Sequence, residues 1–223
     1  MKKIIILTII GAVFLSFSIY QCFYHERVQI VALGDGIATG ETYYDVTGYS
    51  FNDYLRDYFE ETKQIDEYIK EFADKKETSE TLKLKLLNNY VLESTDTKIQ
   101  QALHEASFIT IAIGTYELNH PKMTTKEINN YLKNMNKIIS LLRVYNDKTI
   151  VLLSLYPFRY LEPEEVKEIN ESLKNLCTEK NIYFVDITDI VNNNAYFFNI
   201  NTPYPNYKGH RYIKDEIVKA VFD

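Results

Sequence analysis

Nucleophilic and acid–base chemistry near neutral pH draws on histidine, cysteine and activated hydroxyls. This chain offers four histidines, His25, His104, His120 and His210, and two cysteines, Cys22 and Cys177. No pair or trio of His, Cys, Asp and Glu has the spacing of a metal site, so no metal is expected. A disulfide is not expected either: Cys22 closes an apolar N-terminal run, whereas Cys177 falls in a segment of helical period. Ile19-Tyr20-Gln21 lacks the small side chains that would mark Cys22 for lipid attachment. Thr39 is the hydroxyl nearest in sequence to a glycine-rich turn, Gly34-Asp35-Gly36 with Gly40 beyond it. Such a turn between strand and helix can cradle a pyrophosphate. The spacing here is GxGxxxG, one residue longer than the dinucleotide fingerprint, and no acid stands suitably at the end of a second strand. Dinucleotide binding is therefore disfavoured, and no cofactor is expected.

The elements that would position these residues alternate in type. Val28 to Leu33, Phe108 to Ile113, Thr149 to Leu155 and Ile182 to Val185 are short apolar runs, as strands buried on both faces should be. A further strand is expected within residues 65–72, although acids and Lys interrupt it. Ile128, Tyr131, Leu132, Met135, Ile138, Ile139 and Leu142 recur at helical spacing, and Thr124 with Glu127 reads as a capping box. Val166, Ile169, Leu173 and Leu176 form a second stripe introduced by Pro163, a residue suited to a first helical turn. Shorter helices are expected over Tyr49 to Phe59, Thr81 to Tyr90, Ile99 to Ala106 and, after Gly209, Tyr212 to Val221. This alternation predicts βαβ units around a parallel sheet.

Bulk properties narrow the function. A net charge of −6 and a pI near 5.4 argue against a nucleic-acid binder, which would show a basic face. Nineteen Tyr without a Trp suits stacking on sugars, but abundant Tyr, Asn, Ile and Lys are also what an AT-rich genome writes, and that compositional origin is preferred. Met1-Lys2-Lys3 followed by the apolar run Ile4 to Tyr20 has the form of an export signal. Its seventeen residues would span about 25 Å as a helix, at the short end for a membrane crossing. Either a single-pass anchor or, with Ser16-Phe17-Ser18 as a small-x-small cleavage site, a secreted domain follows. Lys2 and Lys3 would hold the N-terminus in the cytoplasm and place the domain outside. The expected organisation is a leader or anchor at 1–26 and one domain at 27–223.

Three stretches carry a family resemblance. Gly34-Asp35-Gly36 follows the first strand, Ile113-Gly114-Thr115-Tyr116-Glu117-Leu118 follows a mid-chain strand, and Asn201-Thr202-Pro203-Tyr204-Pro205-Asn206 with Gly209-His210 precedes the last helix. In order and setting these resemble the SGNH/GDSL hydrolases, whose motifs are GDS, GxND and DxxHPN; Tyr156-Pro157-Phe158 after the fourth strand also fits that family. The resemblance implies a three-layer α/β/α flavodoxin-like fold with a central parallel sheet.

It also implies a disabled site. Gly36 stands at the nucleophilic serine's position, Tyr116 at the block-three asparagine's, and Asn201 and Tyr204 at those of the aspartate and histidine. Lys76 aligns with the second-block glycine, where its side chain would fill space or attract an anion. Gly36 has no atom with which to attack, and the phenol of Tyr204, with a reference pKa of about 10, is a poor proton acceptor at neutral pH. Loss of nucleophile or base alone costs on the order of 10⁶ in turnover in a serine triad. The resemblance thus implies a catalytically inactive relative whose former cleft comprises Asp35, Gly36, Gly114, Tyr116, Glu117 and Tyr204, with Asp35 and Glu117 in loop-shaping roles. Its partner would be a lipid, glycan or protein of the cell envelope, or the domain would be only a scaffold. The alternative is an esterase, lipase or carbohydrate-ester deacylase in which Thr39 and His120 or His210 replace the lost pair.

Overall fold

The computed structural model describes residues 28–44, 46–62, 65–199 and 202–222. The leader at 1–26, Cys22, His25 and Asn201 lie outside these. In chain order the elements are β1 (Val28–Gly34), α1 (Gly36–Thr39), α2 (Phe51–Glu61), β2 (Ile65–Ile69), α3 (Ser79–Leu87), α4 (Ile99–Glu105), β3 (Phe108–Ala112), α5 (Thr125–Tyr145), β4 (Thr149–Leu153), α6 (Pro163–Glu179), β5 (Tyr183–Val185) and α7 (Tyr207–Phe222). The sheet order is β2-β1-β3-β4-β5 and every pairing is parallel. This is the flavodoxin-like order, whose switch point lies between β1 and β3.

Alternation along the central strands divides the core into two layers. Val31 and Leu33, Ile109 and Ile111, and Ile150 and Leu152 face the α3–α6 side. Ile30, Phe108 and Ala112, and Val151 and Leu153 face α1, α2 and α7. Thr110 is a polar exception on the second side, and it is satisfied: its hydroxyl donates to Asn52 Oδ1 at 2.6 Å, and Asn52 Nδ2 donates to the Ala38 carbonyl at 3.0 Å. That chain of bonds ties α1 and α2 to the middle of the sheet.

The long helices begin where capping chemistry allows. Thr124 and Glu127 form the expected reciprocal box at α5, and Pro163 opens α6. The last helix starts five residues before the expected Tyr212 and runs through Gly209. Glycine there answers to crowding: a Cβ would meet Pro205 Cβ and the Tyr196 carbonyl, each at 2.6 Å. The β2 strand is an edge with Asp66 and Glu67 exposed, which accounts for the charges that interrupt its sequence. Cys177 is a free, buried thiol on α6. Among the described residues, no helix is long and apolar enough to cross a membrane.

Asn146 illustrates how buried polar groups hold the elements together. Its Nδ2 donates to the Leu103 and Ala106 carbonyls, both at 2.6 Å, and its Oδ1 accepts the Lys148 N–H at 2.6 Å. One side chain thereby joins the end of α4 to the start of β4. Asn146→Ala strips two buried carbonyls and one part-buried amide of their partner and should cost about 2–4 kcal/mol. Urea denaturation checks this; a loss below about 1 kcal/mol would mean that other groups satisfy those carbonyls.

Candidate functional site

The loops leaving β1, β2 and β3 meet at the C-terminal edge of the sheet. Gly34 ends β1 with φ +131°, and a side chain there would run into the Ala112 backbone of the neighbouring strand. Its carbonyl accepts the Asp74 N–H at 3.0 Å, drawing in the loop after β2. Asp35 is fully buried and caps α1 by accepting the Ile37 N–H on Oδ1 at 3.1 Å. Its other oxygen accepts the N–H groups of Gly114 and Tyr116, each at 3.0 Å. The loop after β1 and the loop after β3 are thus fastened to one carboxyl group. Gly114 takes φ +116° to present its N–H, with the Tyr131 ring and Leu155 packed against it. In the four-residue α1 the Ile37 N–H is engaged by Asp35, so the carboxylate of the glycine-rich turn itself occupies the helix start.

Gly36, the first residue of α1, is buried. A Cβ built on it would lie 2.6 Å from Cε1 of Tyr204, 3.2 Å from Cζ of the same ring and 3.0 Å from Cβ of Glu41. The phenol ring of Tyr204 therefore lies over the bare face of the glycine. Its loop is held from two directions: Tyr156 Oη donates to the Pro203 carbonyl, and the Asn206 N–H donates to the Tyr196 carbonyl at 2.7 Å. Above the ring is a cleft of about 190 Å³ lined by Glu41, Thr42, Tyr43, Lys75, Lys76, Tyr116, Thr202 and Tyr204.

Of the residues expected in the site, Tyr116, Tyr204 and Lys76 line this cleft, and Asp35, Gly36 and Gly114 form the layer beneath it. Lys76 is exposed, and its backbone N–H donates to Asp74 Oδ1 at 2.8 Å. Glu117 faces elsewhere. Its carboxylate accepts the Ser79 N–H at 2.6 Å and the Ser79 hydroxyl at 2.8 Å, which fixes the start of α3, and burial raises its pKa. With His120 it lines a separate polar groove of about 460 Å³.

Glu41 and Lys75 were not anticipated. Gly40 ends α1 in the left-handed conformation, and this turn brings Glu41 back against Gly36, its N–H donating to the Gly36 carbonyl at 2.7 Å. The carboxylate is buried and stands 3.9 Å from Lys75 Nζ. The one signal for this in the sequence is a carboxylate directly after a glycine helix stop.

The expected substitute acid–base groups each make contacts of their own. The Thr39 hydroxyl donates to the Gly36 carbonyl at 3.2 Å. His210 is buried on α7, where Nδ1 accepts the Phe51 N–H at 3.2 Å, and burial brings its pKa down to about 4. His120 Nε2 lies 3.5 Å from Glu127. None of these three lines the cleft. Among the described residues there is no group of three His, Cys, Asp or Glu placed to hold a metal.

The family model for GDSL-like lipase/acylhydrolase matches residues 30–217, nearly all of the folded part. The chain belongs to that family. Solved structures agree on the GDSL fold. An acetyl-xylooligosaccharide esterase variant from a Geobacillus superposes with a TM-score of 0.67 at 13% identity, covering 90% of this chain and 97% of that one. The psychrotrophic esterase EstA from a Pseudoalteromonas gives 0.60 at 18% identity, over 86% and 96%. A lipase/acylhydrolase from Enterococcus faecalis gives 0.63 at 12% identity, over 86% and 94%. No curated protein matches the chain in sequence.

Asp35 gives this GDSL domain a pH signature. Burial pushes its carboxyl up to about 6 from 3.8, outweighing the backbone N–H donors that pull it down. Its pKa is thus higher folded than unfolded, so between pH 4 and 6 the folded state holds the extra proton and stability falls as pH rises. At about 1.4 kcal/mol per unit, the loss should approach roughly 3 kcal/mol by pH 7. Asp35→Asn removes this contribution, so urea stability of wild type relative to the variant should decline across pH 4–6. Parallel curves would mean that the carboxylate stays ionised throughout.

Proposed function

We propose that this GDSL-family domain binds a ligand or partner of the cell envelope without hydrolysing it, and that residues 1–26 export it and hold or release it on the outer side. The observation that carries the reading is the fit of Tyr204 over Gly36, which leaves no space for the side chain a nucleophile would need. Chemistry supports it: a glycine cannot attack, and His210, as a buried imidazole with a pKa near 4, belongs to the packing between α2 and α7. The second reading, Thr39 as nucleophile beside His120 or His210, draws no support from their hydrogen bonds or positions. That solved relatives are described as esterases, one of them for acetylated xylooligosaccharides, fits a cleft inherited from proteins that handled acylated ligands.

Two measurements test this. The full-length chain should hydrolyse p-nitrophenyl acetate and butyrate no faster than a heat-killed control, and turnover well above that control would refute the reading. The packing itself is open to a double-mutant cycle. Gly36→Ala should cost about 1–3 kcal/mol by overpacking, and the cost should largely vanish in a Tyr204→Ala background. An equal penalty in both backgrounds would show that the ring does not occupy the slot.

A further inference from the structure

We infer that the N-terminal edge of the sheet rests on the surface of a phospholipid bilayer, with Val144, Tyr183 and Phe222 as contact residues; this rests on the reading that residues 1–26 hold the domain to a membrane. Because the strands are parallel, β1, β3, β4 and β5 all start at this edge, and α5, α6 and α7 end there. Between these ends lies a groove of about 480 Å³, whose apolar part is Val28, Phe59, Phe108, Tyr183 and Phe222. Phe222 stacks on Phe108 at 6.0 Å between ring centroids and meets Phe59 edge-on at 5.7 Å. Even so, Phe222 is 47% exposed and Tyr183 44%. Val144, next to Arg143 in the last turn of α5, is 78% exposed. Exposed apolar side chains grouped about an apolar groove mark an interaction surface.

The length of the N-terminal link points to what covers this edge. Val28, the first residue of β1, lines the groove, and only Gln21 to Arg27 separate it from the apolar run Ile4 to Tyr20. Those seven residues reach at most about 25 Å, however they are arranged. With the apolar run in the bilayer, this edge stays within that distance of the headgroups. The side chains suit the location: a Tyr ring favours the interfacial layer, where its body meets acyl carbons and its hydroxyl meets water. Arg143, Asp147 and Lys148 line the groove with both signs of charge, as the headgroups of a zwitterionic lipid carry both. Approach to lipid strips water from the backbone, so carbonyls at such a surface need internal donors. Arg143 supplies them: Nε donates to the Lys180 carbonyl at 3.0 Å, Nη1 to those of Asn146 and Lys148 at 3.2 and 2.7 Å, and Nη2 to that of Asn181. One guanidinium thereby satisfies four carbonyls at the edge that meets the bilayer.

The chain contains no Trp, so a single introduced Trp reports its own surroundings. Val144→Trp and Tyr183→Trp, with Tyr44→Trp at the opposite edge as control, are made in the full-length chain and reconstituted into phosphatidylcholine vesicles whose acyl chains are either plain or brominated. Emission from the reporters at 144 and 183 should be at least about twofold lower in the brominated vesicles, and that at 44 unchanged. Salt at about 0.5 M should not relieve the quenching, because the contact is apolar rather than ionic. Thermal melting checks that each variant is folded. Equal emission from plain and brominated vesicles at 144 and 183, or equal quenching at all three positions, overturns the inference. Blue-shifted emission at 144 and 183 without quenching overturns it too, and shows that protein covers the edge, either a second copy or the chain's own Gln21 to Arg27. Mass spectrometry of the exported chain separates the two possible failures. Loss of residues 1–26 removes the anchored reading and this inference with it, whereas an intact, membrane-bound chain with unquenched reporters removes this inference alone.

Discussion

The organisation of this molecule at its functional edge depends on one buried carboxyl group. Asp35 accepts N–H groups from Ile37, Gly114 and Tyr116, so three amides from two separate loops share one carboxyl group. These loops flank the β1/β3 switch point, where a parallel sheet leaves a crevice between helices that diverge to opposite faces. Without that acceptor, three buried or half-buried amides would be left to find partners in a region already filled by Gly34, Ala112 and Gly114. The ionised form fits the donors best, yet burial favours the neutral form. The rise of its pKa to about 6 states which effect is larger.

Upon this platform Gly36 and the loop bearing Tyr204 pack closely. Gly36 and Tyr204 are complementary: the absence of a side chain at one accommodates the ring at the other. Glu41 closes the same pocket from the side, delivered by the left-handed turn at Gly40. The cleft left above the ring is lined by Glu41, Lys75, Lys76, two threonines and three tyrosines.

Much of this architecture is legible in the sequence. β1, β3 and β4 are unbroken apolar runs because helices cover both of their faces, and the Thr124 and Glu127 box locates α5 to the residue. The strand at 65–69 reads weakly because an edge strand needs little apolar surface on its solvent side. Gly209 suggests a helix boundary by conformational preference, whereas crowding against Pro205 and Tyr196 is what requires it. The residues around the site were legible in the sequence, but their arrangement was not. That Tyr204 would lie on Gly36 and that His210 would be sealed against Phe51 are contacts across long stretches of chain, and local pattern carries no record of them.

All five strands run in the same direction, so the chain enters the sheet at Val28 on one end while the loops bearing Gly36, Tyr116 and Tyr204 emerge at the other. Seven residues of β1 separate the two ends by roughly 20 Å. A tether joined ahead of Val28 would therefore hold the domain by its base and aim the tyrosine-bordered opening outward. Were such a tether to sit in a membrane, the opening would face away from the lipids that held it.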